Sequence, residues 1–91
     1  MSRIIPKGAE AALPTTTGAG TSFSQATVVR VVNTAAAGTN HLVTVTEGWS
    51  GAVVGSLTIS GNTSELIEKA PTHTMFAANA AVLGCKVGYA N

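Results

Sequence analysis

From residue 25 onward, apolar and polar side chains alternate along short segments, as they do in half-buried β-strands. Turn-forming sequences such as Gly61-Asn62 separate these segments. The predicted strands are residues 25–32, 41–46, 53–60, 64–69 and 82–89. Residues 72–81 fit either a short helix or an irregular crossing. The pattern therefore predicts an all-β fold, a small antiparallel β-sandwich or barrel of five to seven strands.

The same alternation predicts which side chains face the core. Val43 and Val45 share one face of their strand, and Leu57 and Ile59 share one face of the next strand. We predict that ten residues are buried between two sheets: Val29, Val31, Val43, Val45, Leu57, Ile59, Leu66, Leu83, Cys85 and Val87.

The first 21 residues differ from the rest of the chain. Pro6 and Pro14 interrupt regular structure, and residues 15–21 contain only Thr, Gly and Ala. We therefore predict two regions, an extended N-terminal arm at residues 1–21 and a β-sandwich domain at residues 22–91. On this interpretation, deleting residues 2–14 leaves the β-domain folded.

The arm is not uniformly polar, and this suggests a function for it. A disordered tail rarely carries large apolar residues, because such residues favour burial. Laid along a neighbouring molecule, the arm would bury its apolar side chains and place its basic side chains near carboxylates. The residues predicted to contact a protein partner in this way are Arg3, Ile4, Ile5, Lys7 and Leu13.

Charge is scarce over the whole chain. Only 10% of the 91 residues are charged, against roughly 25% in typical soluble domains. Such a surface resists self-association poorly, so we expect a partner to cover much of it, in a homo-oligomer or a larger assembly. The alternative is that small polar residues alone keep the protein soluble. The net charge is +1 with scattered basic residues, so neither nucleic acid nor a membrane is an expected partner.

Residues able to catalyse a reaction are few. The chain has no Asp, and Glu65 and Glu68 are three positions apart on one predicted strand, so they point to opposite faces. Cys85 could act as a nucleophile with His41 or His73 as its base. Its place in the middle of an apolar strand face favours a buried, unreactive thiol instead. We expect no catalytic residue, no cofactor and no metal, since no His or Cys pair has ligand spacing.

Two aromatic residues could bind something. An exposed Trp49 on a loop could stack on a sugar or anchor a partner, or it could close one end of the sandwich. Tyr89 lies on an apolar strand face, which favours the core. Cys85 is the only cysteine, so no internal disulfide forms, and the N-terminus has no signal-peptide pattern, which predicts synthesis in a cytoplasm.

The chain from about residue 22 to residue 91 resembles small virion proteins of tailed bacteriophages, especially marine and cyanobacterial phages. The matching segments are ATVVRVVN at residues 26–33, EKAPTHT at 68–74 and CKVGYAN at 85–91. Such proteins are similar in being rich in Ala, Thr and Gly, poor in charge and free of disulfides. Several are capsid decoration (cement) proteins that sit on the shell as trimers or dimers. The resemblance implies a partner such as the major capsid protein, a location in the virion and no catalytic residues.

Three functions compete at this point. The first is a non-enzymatic virion structural protein, most specifically a capsid decoration protein that binds a phage head through its N-terminal arm and oligomer contacts. The second is a carbohydrate-binding or adhesion module that uses Trp49, although four aromatic residues are few for that purpose. The third is a small enzyme, against which the missing Asp and the setting of Cys85 argue.

Overall fold

The computed structural model describes residues 3–16, 20–48 and 52–90, and these residues form eight β-strands without a helix. The strands, in chain order, are β1 (Arg3–Pro6), β2 (Ala11–Ala12), β3 (Val28–Asn33), β4 (His41–Thr46), β5 (Val53–Ile59), β6 (Thr63–Glu68), β7 (Thr74–Ala77) and β8 (Val82–Ala90).

The strands form two antiparallel sheets. The larger sheet has the order β1-β8-β3-β6, with β2 also paired to β8, and the smaller sheet has the order β5-β4-β7. The prediction of a small all-β, antiparallel sandwich is therefore confirmed. Residues 28–90 supply six of the strands, which is within the predicted number, and the other two strands lie before residue 22.

The main core lies between the two sheets and follows the predicted alternation in β3, β4 and β5. Val29 and Val31 of β3 face Val43 and Val45 of β4, and all four are buried. Ile59 is also buried, and Leu57 is partly buried against the same cluster. These six residues confirm the predicted inner faces of three strands.

The predicted face of β6 is wrong. Leu66 is 47% exposed, whereas its neighbour Ile67 is 9% exposed and belongs to the core. The register explains the difference, because Ile67 pairs with buried Val29 and Leu66 pairs with Arg30 on the opposite face of the sheet. A shift of one residue exchanges the two faces of a strand.

The predicted face of β8 is also wrong. Val82 lies in the main core, so the odd-numbered residues of β8 face away from the smaller sheet. Cys85 and Val87 are buried there in a second cluster with Val28, and Leu83 is half-buried. Both faces of β8 carry apolar residues, so its alternation did not distinguish the inner face.

The segment at residues 72–81 is neither a short helix nor an irregular crossing. Residues 74–77 form β7, which pairs with β4 through residues 43–46. Met75 and Ala77 are buried in the core, and the hydroxyls of Thr46 and Thr74 lie 2.9 Å apart across the pair. The tertiary pairing therefore decided the conformation of a segment whose local sequence is ambiguous.

The extended N-terminal arm is not confirmed. Residues 3–6 pair with residues 87–90 of β8, and residues 11–12 pair with residues 83–84. Leu13 follows directly, donates its backbone N–H to Val82 O at 2.9 Å, and is 2% exposed. The segment lies along its own domain because β8, with nine residues, is long enough to pair with both short strands.

Candidate interaction surface

The predicted interaction residues in the N-terminal segment fall into two environments. Ile4 and Ile5 lie in β1 at the edge of the larger sheet, and both side chains are exposed. Lys7 follows them and is exposed as well. Leu13 is different, because its side chain packs in the main core and is therefore closed to a partner. Arg3 lies in β1, and Trp49 lies outside the described residues, as does the side chain of Tyr89.

The outer face of the larger sheet, the face turned away from the smaller sheet, carries a groove beside Ile4. Its volume is about 460 Å³. Leu66 contributes an exposed apolar side chain to the groove, and Arg30 contributes a half-buried guanidinium. The Arg30 Nη1 atom lies 3.8 Å from Glu10 Oε2, so the charge has a partner on the same domain. Ser64 and Glu65 complete the lining, so the groove combines two exposed apolar side chains with polar and charged groups, which suits a protein surface.

The two sheets separate along their β5 and β6 edges and leave a cleft of about 300 Å³. Leu57 and Ile67 line its inner end, and Lys69 and His73 lie at one side. Lys69 is 7% exposed, and its Nζ donates to Ala26 O at 2.7 Å and to Ala70 O at 3.3 Å. Burial, with a smaller contribution from the positive charge of Lys86, lowers the pKa of Lys69.

The residues considered for catalysis do not form a site in the described part of the chain. Glu65 pairs with Val31 and Glu68 pairs with Val28, which places the two carboxylates on opposite faces as predicted. Cys85 is buried between Val28 and Val87, and its Sγ contacts Gly8 O at 3.2 Å. Within residues 3–16, 20–48 and 52–90, no three His, Cys, Asp or Glu side chains are close enough to bind a metal ion.

Sequence reasoning missed two features of the structure, one on the surface and one in the interior. The first is the exposed pair at the start of β5, where Val53 is 64% exposed and Val54 is 51% exposed. The second is the interior polar set at Asn33, whose Nδ2 donates to Thr39 O and Ile59 O at 3.0 and 2.8 Å. The run of uncharged residues in β5 was a possible signal for the first feature, whereas an Asn at a strand end has no comparable signal.

Comparisons with protein-family models, with curated proteins and with solved structures found no match to this chain. None of the described residues belongs to a helix long and apolar enough to cross a membrane. The surface of the protein is therefore the guide to its function.

Proposed function

We propose that the protein is a non-enzymatic structural protein of a virion, most specifically a decoration subunit that binds and stabilises the shell of a phage head. The observation that carries the proposal is the outer-face groove, where Ile4 and Leu66 are exposed beside Arg30 on a chain with only 10% charged residues. Exposed apolar side chains beside charged and polar groups favour contact with another protein.

The N-terminal strand supplies the rest of the proposed contact. Ile4 and Ile5 are exposed on β1, which forms one edge of the larger sheet. Arg3 and Lys7 flank them in the sequence and add positive charge for carboxylates on the shell protein. Because β1 is already paired to β8, little chain entropy remains to be lost when the shell protein binds.

Binding to undecorated, expanded heads of tailed phages tests the proposal. The purified protein should sediment with the heads and add regular density to them in negative-stain images. We expect Ile4→Asp to abolish co-sedimentation, because it places a charge in the apolar contact. Leu42→Asp is the matched control, since Leu42 is similarly exposed but lies on the smaller sheet.

Circular dichroism and urea melts should show that both variants remain folded. Failure of the full chain to bind heads would contradict the proposal. Equal loss of binding in both variants would also contradict the assignment to the outer-face groove, because it would show that any added charge on the surface disrupts binding.

A further inference from the structure

We propose that two copies of this chain pair through the free edges of their β5 strands, antiparallel and about a two-fold axis at Ser56. The pairing would join the two smaller sheets into one six-stranded sheet. This inference goes beyond the proposed function and does not rest on it, because it concerns only how the chain recognises a second copy of itself.

β5 differs from the other strand edges of the sandwich. β6 carries Glu65 and Glu68, and β1 carries Arg3 and Pro6. Charged residues and proline at an edge discourage the addition of another strand. The free edge of β7 is covered, because the backbone of Thr21 exchanges hydrogen bonds of 3.0 and 2.9 Å with Met75.

β5 has none of these protections. It runs for seven residues, contains neither a charged residue nor a proline, and has β4 as its one partner strand within the described ranges. Its outer edge therefore presents unpaired backbone N–H and C=O groups in an extended strand, which is a template for another strand. Val53 and Val54, at 64% and 51% exposure, would bury apolar surface in such a pairing.

Charge favours a second copy of β5 as the added strand. When two identical strands pair antiparallel about a two-fold axis, a residue on the axis lies opposite its own copy. Every other residue lies opposite the residue that is equally far from the axis on its other side. Two copies of β6 would bring Glu65 and Glu68 close to their equivalents, and like charges in opposite positions destabilise a pair. Two copies of β5 bring no charges together.

Strand length sets the register. A two-fold axis at Ser56, the middle residue of β5, pairs residues 54–58 with those of the partner, with Gly55 opposite the partner's Leu57. Ile59 stays in its own core, since it is 1% exposed. Space is available for this contact, because a Cβ added at Gly55 would meet no heavy atom within 4 Å among the described residues. The cleft of about 300 Å³ beside β5 would then receive apolar side chains from the partner strand.

Cysteine cross-linking tests the register directly. Ser56→Cys places two thiols opposite each other, and opposed strand residues have Cα atoms about 4.5–5.5 Å apart, which a disulfide can bridge. Thr58→Cys is the matched control, since Thr58 is exposed on the same face, but its two copies would lie roughly 14 Å apart. Under mild oxidation, we expect a covalent dimer from S56C and little from T58C or from the wild type with Cys85 alone.

Edge substitution tests the interface without cross-linking. Light scattering at micromolar concentration should give twice the 9.1 kDa chain mass for the wild type. Ser56→Lys should return the mass to that of one chain, because two ammonium groups would meet at the axis. Ser64→Lys should leave the dimer intact, since Ser64 is exposed on the free edge of β6.

A wild type that is monomeric, an S56K variant that remains dimeric, or equal cross-linking of S56C and T58C would each overturn the proposal. Head binding is measured separately on the wild type and on S56K, because Ser64 lines the outer-face groove. A monomer that binds heads would refute the β5 dimer and leave the proposed function standing, whereas a β5 dimer that ignores heads would do the reverse.

Discussion

Lys69 is a charged residue that the fold places almost out of contact with water. Its side chain is 7% exposed, and two backbone carbonyls, those of Ala26 and Ala70, accept hydrogen bonds from its Nζ. Burial removes hydration that favours the ammonium form, and nearby Lys86 adds a smaller repulsion, so the pKa of Lys69 is lowered. The hydrogen bond to Ala26 holds the end of β6 against the residues just before β3.

The lowered pKa predicts a pH dependence of stability. The folded protein binds the proton of Lys69 more weakly than the unfolded chain, so the free energy of unfolding should rise with pH between the lowered pKa and the ordinary value of 10.5. Lys69→Met should remove this part of the rise. Lys7→Met, at an exposed position, controls for the loss of one positive charge. Urea midpoints measured across this range should show a shallower slope for K69M alone, and identical slopes in wild type and K69M would contradict the argument.

At the scale of the element, β6 shows how register selects between adjacent apolar residues. Leu66 and Ile67 are neighbours of similar hydrophobicity, so sequence alternation does not distinguish which one faces the core. The pairing of Ile67 with Val29 settles the question, because Val29 is fully buried. The faces of β4 and β5 were predictable because most residues on the outer face of each strand are polar. β6, β7 and β8 required the tertiary pairing.

The assigned face of β6 predicts unequal costs for two similar truncations. Ile67→Ala should lower the free energy of unfolding by about 2–5 kcal/mol, because it leaves a cavity in the main core. Leu66→Ala should cost about 0.5 kcal/mol or less, since half of that side chain is already in solvent. Urea melts of the two variants make the comparison. Equal costs, or a larger cost for L66A, would show that the strand is shifted by one residue.

At the scale of the whole molecule, the N-terminal segment is part of the sandwich. The composition of this segment differs from that of the rest of the chain, but the sequence did not show that the segment pairs with β8 of the same chain. Gly84 makes this docking possible, because a Cβ there would meet Phe23 and Leu13 at 2.5 and 3.0 Å. Without a side chain at residue 84, Leu13 can lie directly on the inner face of β8.

The candidate interaction surface could be predicted only in part from the sequence, because strand pairing brings its residues together. Ile4 and Ile5 were predicted to be interaction residues because they are apolar residues in a segment interrupted by prolines. Both are exposed. Leu66 and Arg30 were not identified, because they are distant from Ile4 in the sequence and meet it only through the order of β1, β8, β3 and β6. Surfaces built across a sheet depend on strand order, which alternation does not encode.

The last prediction separates the structural and binding roles of the N-terminal segment. Leu13→Ala should cost about 2–5 kcal/mol in the free energy of unfolding, because Leu13 fills the main core. Ile4→Ala should change stability by about 0.5 kcal/mol or less, since Ile4 is exposed, but should weaken binding to phage heads, since Ile4 lines the outer-face groove. Deleting residues 2–14 removes β1, β2 and Leu13 together, so we expect the remaining chain to be strongly destabilised, contrary to the expectation from a detached arm. Urea melts and head co-sedimentation measure the two roles independently. A truncated chain as stable as the full chain would show that the segment is only an attachment device and that its pairing with β8 does not stabilise the fold.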